Sequence, residues 1–304
     1  MKVFLNQPYS FIQIGGKENQ EDARCPDDDQ PSPDQLFYVL CDGVGGQTKG
    51  EIASRTVTSA LAEYMVDEDL DKPFSASDFK KALEFAYCKL YGAMSKYHNK
   101  DMATTLVFLC FHEKGVTMAH MGDSRIYQIR PNVGIIYKSN DHSLVNALVK
   151  SGELTPQEAI NHKHSNYITR CVCYVDPQSS VPSADLLQSQ DILPGDYFFL
   201  CTDGVYSQIS DEELLMIIRS SSSDKEKTDR ISQLSKDSSD NNTAFLISIK
   251  EVLQDSYFGE KVCGLGSSPG TQTLSEMEDV IIEVTPDIKQ TLWNKLKLIL
   301  SNLF

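Results

Sequence analysis

"LFYVLCDGVGGQTKGEIAS", residues 36–54, is an apolar run that breaks into a carboxylate and a cluster of glycines before an amphipathic stretch begins. Phe37 to Cys41 reads as a strand, being aromatic and aliphatic throughout. Ile52, Val57, Leu61 and Met65 then recur at helical spacing. A second break of the same kind, "YFFLCTDGVYSQIS", occupies residues 197–210. One Asp-Gly after an apolar run is an ordinary turn. Two of them, at Asp42 and Asp203, call for a common cause.

Other carboxylates stand in comparable places. Asp123 follows the apolar run in "VTMAHMGDSRIY", Asp240 stands just before "TAFLISIK", and Asp22 closes "GGKENQEDA". Strand-like runs recur at Val3–Leu5, Thr105–Phe111, Val116–His120, Arg125–Ile129, Gly134–Tyr137, Tyr197–Cys201 and Ala244–Ile249. Phe79, Leu83, Tyr87 and Leu90 mark a second long helix. Capping boxes at Thr155/Glu158 and Ser210/Glu213 start two more, and Ile231 with Leu234 suggests a short one. If neighbouring strands bring the five aspartates together, their mutual repulsion requires a cation. Oxygen-only donors select a hard divalent ion such as Mg²⁺ or Mn²⁺ over zinc. Glycine after Asp42 lets the backbone turn and offers the Gly43 carbonyl to the same ion.

Composition narrows the class. The chain has 304 residues, 40% of them hydrophobic, and a formal charge of -15, which argues against nucleic acid as a partner. Its 8 cysteines show no C-x-x-C spacing, and several lie in apolar runs where a thiol acts as a small hydrophobe. They read as reduced, which points to a cytoplasmic protein. Cys171 and Cys173, alternating around Val172, read as strand. The opening "MKVFLNQPYS" lacks a signal-peptide core, and no window reaches transmembrane length.

The ordered set of motifs resembles the metal-dependent protein phosphatases of type 2C, also called PPM, in their compact bacterial branch. "GGKENQEDA" is similar to the family's Gly-x-Arg-x-x-[Asn/Met]-Glu-Asp, "CDGVGG" to Asp-Gly-[Val/His]-Gly-Gly, and "ATTLV" to [Gly/Ala]-[Ser/Thr]-Thr. "GDSRIY" is similar to Gly-Asp-Ser-Arg, and "DHSLVNALVKSGELTPQEAINHKHSNYITR" to the flap. "CTDGV" is similar to the second Asp-Gly, and "DNNT" to Asp-Asn-x-[Ser/Thr]. The resemblance runs from about Gly15 to Ile249. It implies an α+β fold, a four-layer α/β/β/α sandwich of two mostly antiparallel sheets flanked by helices, over residues 1–250.

The same resemblance implies hydrolysis of phosphoserine and phosphothreonine in proteins by a water shared between two Mn²⁺ or Mg²⁺ ions. Asp42 would bridge the ions, with the Gly43 carbonyl on one and Asp203 and Asp240 on the other. Glu21 and Asp22 would act through water, and Asp123 with Asp203 would hold a third ion. Lys17 stands where the family has a phosphate-binding Arg, keeping the charge without the bidentate fork. Val44 replaces a residue that animal relatives use as general acid. The implied partners are phosphoprotein substrates and a cognate Ser/Thr kinase in a signalling pathway. A pseudophosphatase that binds phosphoproteins without turnover is the alternative, and retention of five aspartates weighs against it.

Arg125 and Arg170 read as structural ion-pair residues, and His142 as a turn or cap contact. Past Lys250 the composition turns Gly-, Ser- and Thr-rich, as in a linker, so residues 251–304 read as a linker and extension. The closing "KQTLWNKLKLILSNLF" places Leu292, Leu296, Ile299, Leu300 and Leu303 on one helical face. Such a helix would dock on the domain, a partner or a membrane surface.

Overall fold

Residues 1–44, 49–155, 157–158, 162–164, 167–175 and 181–253 are described by a computed structural model of the chain. Its strands are β1 (Lys2–Leu5), β2 (Tyr9–Gln13), β3 (Asp22–Cys25), β4 (Phe37–Val44), β5 (Ala103–Thr104), β6 (Leu106–His112), β7 (Gly115–Met121), β8 (Arg125–Arg130), β9 (Gly134–Lys138), β10 (Asp185–Ser189), β11 (Tyr197–Cys201) and β12 (Asn242–Leu253). Its helices are α1 (Gly50–Val66), α2 (Ala76–Tyr97), α3 (Leu144–Lys150), α4 (Asp203–Tyr206), α5 (Asp211–Arg219) and α6 (Asp224–Ser235).

The central strands are apolar on both faces because each face is covered. In β4, Tyr38 and Leu40 point into one cluster with Phe198, Leu200, Phe245 and Ile247. Val39 and Cys41 point the other way, onto Val57, Leu61, Leu83 and Leu90 of α1 and α2. On the far side, Phe199, Cys201, Ala244 and Leu246 pack under Leu214, Ile217, Ile218 and Ile231 of α5 and α6. Two sheets thus face each other between two helical layers. One runs β1-β12-β11-β8-β9, with β2 also on β12, and the other β10-β7-β6-β4-β3, with β5 on β4. Every strand pairing among the described residues is antiparallel.

Several local expectations change. β4 does not stop at Asp42 but runs through it to Val44. Asp203 opens α4 instead of ending a strand, with Thr202 between it and β11. Cys171–Cys173 forms only an isolated bridge, Thr104 to Val172. The strands β2, β3, β5 and β10 and the helix α3 were not expected. Ser210 and Glu213 form the capping box of α5. Thr155 and Glu158 also make their reciprocal bonds, though residues 159–161 lie outside the described residues. β12 continues past residue 250, pairing Glu251, Val252 and Leu253 with Phe4, Val3 and Lys2. The linker and closing helix, from residue 254 on, lie outside the described residues. Among those described, no helix is long and apolar enough to cross a membrane.

Candidate metal centre

The register of β3 on β4 sets Asp22 directly opposite Asp42. Like charges paired across antiparallel strands repel, so this pairing already asks for compensation. The Asp42 backbone is pinned from one side: its N–H donates to Thr105 Oγ1 at 2.9 Å, and its carbonyl accepts from Thr105 N and Thr104 Oγ1, each at 2.8 Å. Gly43 N–H donates to the Glu21 carbonyl at 3.0 Å. Gly43 also touches the first turn of α1 so closely that a Cβ there would lie 2.4 Å from the Gly50 carbonyl carbon. Only glycine lets the strand end and the helix start meet here.

Asp203 and Asp240 arrive from loops of the facing sheet, and Asp123 from the turn between β7 and β8, which joins the two sheets. Asp22 is buried, and its Oδ2 accepts from Thr202 Oγ1 at 3.0 Å and Thr243 Oγ1 at 2.6 Å. Burial pushes its carboxyl up to about 7 against the opposing effect of the two hydroxyls, with Asp203 and Asp240 adding to the rise. Asp123 is likewise pushed up to about 7 by burial and then by Asp203. Asp203 reaches about 6 through burial and Asp240. Asp42 is raised well above the carboxylate range by burial, then by Asp22, Asp203, Asp123 and Asp240. Glu21 is raised by burial, with Lys17 opposing.

Lys17 is the cation of this group. Its Nζ lies 2.8 Å from Asp240 Oδ1. Burial lowers its pKa, but the bond to Asp240 and the charges of Asp240, Glu21 and Asp42 outweigh that and leave it raised. One ammonium does not neutralise six carboxylates. Oδ1 of Asp22, of Asp123 and of Asp203 are each buried with no hydrogen-bond partner, although buried acceptors are normally satisfied. Three orphaned carboxylate oxygens in one cluster of raised acids, with no imidazole or thiol among them, fit a hard divalent cation.

The structure therefore brings together Lys17, Glu21, Asp22, Asp42, Gly43, Asp123, Asp203 and Asp240. Sequence reasoning missed the hydroxyls that aim them: Thr104, Thr105, Thr202 and Thr243. Each lies inside a quoted motif, but only the folded register shows which carboxylate it serves. Glu51, in the first turn of α1, is a further acid facing Glu21. Arg125 is held away from the cluster by two bonds to Asp141, at 2.9 and 2.7 Å, with its guanidinium 3.5 Å over the Tyr206 ring. Arg170 pairs with Asp185. Both are ion-pair residues, as expected.

Comparison with known proteins agrees with this geometry. The sequence model of the family described as "Protein phosphatase 2C" matches residues 14–244. The protein phosphatase PhpP of Streptococcus pneumoniae is 34% identical over 222 residues, covering 71% of this chain and 87% of that protein. Among solved structures, the serine/threonine phosphatase Stp1 of Staphylococcus aureus superposes with a TM-score of 0.69 at 29% identity, covering 83% of this chain and 98% of that one. The catalytic domain of the serine threonine protein phosphatase PstP, in complex with 2 manganese ions, gives a TM-score of 0.65 at 25% identity, covering 82% and 100%.

Proposed function

The chain belongs to the protein phosphatase 2C family, and from that premise we propose that it hydrolyses phosphoserine and phosphothreonine in proteins at the aspartate-lined site. It is a metal-dependent phosphatase, and the observation that carries the reading is the set of three buried, unpartnered carboxylate oxygens converging with Asp42. Asp42 would hold two ions in common, with the Gly43 carbonyl on one of them; Asp203 and Asp240 would complete the second, and Asp123 with Asp203 would hold a third. Asp22 and Glu21 would reach the ions through water. Mn²⁺ is the favoured occupant, because a structural relative carries it. When bound, such a cation supplies Lewis-acid charge to phosphoryl oxygens and makes water nucleophilic at neutral pH.

The chain's own residues do the rest. Thr202 and Thr243 hold Asp22 in one orientation, and Thr104 with Thr105 fix the strand that carries Asp42. Lys17, ion-paired with Asp240, would offer its ammonium to the phosphate. No cysteine or serine nucleophile is needed. The substrates are phosphoproteins supplied by a Ser/Thr kinase, and the cytoplasm is the expected setting.

The test is phosphopeptide hydrolysis with Mn²⁺ and with excess chelator. Activity should vanish in the chelator, and Asp42→Ala should lose activity about a hundredfold or more with weakened Mn²⁺ binding. Full turnover in EDTA would sink the proposal. We place the catalytic domain at residues 1–253, since a cut at 250 would remove the pairing partners of Lys2, Val3 and Phe4 in β1. The extension beyond it is proposed to govern association or location, through the apolar residues Leu292, Leu296, Ile299, Leu300 and Leu303 of its closing sequence. Truncation after Leu253 should then leave Mn²⁺-dependent activity within about twofold, and loss of folding would show that the extension belongs to the catalytic unit.

A further inference from the structure

Beside the aspartates lies a second compact group of titratable side chains, His120, His142 and Asp185, with nitrogen and oxygen atoms within 4.8 Å of one another. The spacing invites a metal site, but the rings reject it. His120 and His142 are stacked, 4.6 Å between centroids and 6° from parallel. Imidazole binds metal through an in-plane lone pair at about 2.0–2.1 Å, and two parallel planes so separated share no such point. Hydrogen bonding assigns the His142 tautomer as well. Gly122 N–H donates to His142 Nδ1 at 3.1 Å, so the ring proton sits on Nε2, which faces Asp185 Oδ2 at 3.2 Å. A protonated nitrogen is not a ligand.

The contacts on the other side of the ring are more informative. His142 N–H donates to the Gly122 carbonyl at 2.8 Å, while His142 Nδ1 accepts the Gly122 N–H. One residue thus satisfies both polar groups of Gly122. Gly122 has φ +105°, and a Cβ there would come within 2.6 Å of Thr105 Cγ2. Its backbone is therefore wedged between His142 and the same Thr105 whose hydroxyl receives Asp42 N–H. The next residue in the chain is Asp123. The His142 ring is itself fixed, stacked on His120, whose Nε2 donates to the Asn140 carbonyl at 2.9 Å, and faced by Asp185, which Arg170 holds.

We propose that His142 is a positioning residue for Asp123: by clamping Gly122 at both N–H and C=O, it sets the direction from which the Asp123 carboxylate enters the metal centre. The proposal rests on the metal reading of Asp123 given above. In this role His142 acts through the Gly122 peptide.

Two measurements on the full chain test it. The first is Mn²⁺ titration by calorimetry without substrate, for the native protein and for His142→Ala, His142→Asn and Asp123→Asn. Asparagine offers its Oδ1 where Nδ1 stood, so it should restore the acceptor. Loss of such an outer partner costs about 10- to 100-fold in metal affinity. The weakest Mn²⁺ step should therefore fall at least about tenfold in His142→Ala, as in Asp123→Asn, and stay within about threefold of native in His142→Asn. Native-like binding in His142→Ala, or equal losses in the alanine and asparagine variants, would overturn the proposal. The second is amide hydrogen exchange at Gly122 in metal-free protein, expected to speed up in His142→Ala and not in His142→Asn. Unchanged exchange in the alanine variant would also overturn it. A native protein that takes up no Mn²⁺ would overturn the metal reading instead, and the exchange result would still decide whether the clamp exists. If His142→Ala does not fold, the asparagine variant carries the decision: a loss there matching Asp123→Asn refutes the clamp, and retention supports it.

Discussion

Lys17 shows how one side-chain substitution alters the chemistry of a shared site. An ammonium is a point charge, whereas a guanidinium presents a planar fork that matches two phosphate oxygens at once. Lys17 Nζ is already bound to Asp240 Oδ1 at 2.8 Å, and both side chains are more than one-third exposed, at 39% and 37%. With one N–H turned to the carboxylate, the ammonium meets an incoming phosphate as a point charge and without a two-point fit. Lys17→Arg can engage both, so its Michaelis constant for a phosphoserine peptide should fall severalfold while Mn²⁺ affinity stays native. Steady-state kinetics beside a Mn²⁺ titration decide it. An unchanged or raised constant would leave Lys17 as an ion-pair partner of Asp240 alone.

At the level of elements, the joint between β4 and α1 is the least forgiving. A methyl group on Gly43 would collide with the backbone of Gly50, which cannot rotate out of the way. Overpacking of this kind costs about 1–3 kcal/mol, or about 2–12 °C in melting temperature for a domain of this size. Gly43→Ala should show that drop together with weakened Mn²⁺ binding, because the strand carrying Asp42 must shift. A variant with native melting and native binding would contradict the close approach. The same joint explains what could be read in advance. β4, β6, β11 and β12 were visible because both faces are buried, leaving unbroken apolar runs. β3, "DARC", was invisible: two of its four residues are charged, Asp22 facing the metal centre and Arg24 tied to Ser10 and Asp29. β10 was missed for a related reason, since its Asp185 and Gln188 serve His142 and Thr117 instead of a core. The aspartates were legible as motifs. The threonines that orient them were not, because Thr202, Thr243 and Asp22 meet across 180 and 221 residues of sequence.

For the molecule as a whole, the concentration of buried acids sets a pH dependence with a definite sign. Asp22 and Asp123 at about 7 and Asp203 at about 6 hold protons in the metal-free folded chain that an unfolded carboxyl, near 3.8, would release. Their folded values are raised, so protonation favours folding, and stability falls as pH climbs through those values. His112, His120 and His142 act oppositely, since burial lowers them and their contribution grows as pH rises to about 6.5. Above that the acids, Asp42 included, outnumber the one opposing group among the described residues, the Cys173 thiol, which its bond with Cys171 lowers. The melting temperature of metal-free protein should therefore decline between pH 6.5 and 8, and saturating Mn²⁺ should raise it more at pH 8 than at pH 6.5. Calorimetric scans with and without the ion read both; a metal increment independent of pH would refute the link. The outer course of the chain has a further bearing on how the protein is made. β12 is the last strand described, yet it pairs with β1 and β2, the first two, and carries Thr243 onto Asp22. A ribosome adding about 5–20 residues per second leaves the opening strands waiting tens of seconds for their partner. Until β12 emerges, the growing polypeptide has an unpaired sheet edge and an incomplete ligand set, so catalytic competence waits on that one strand.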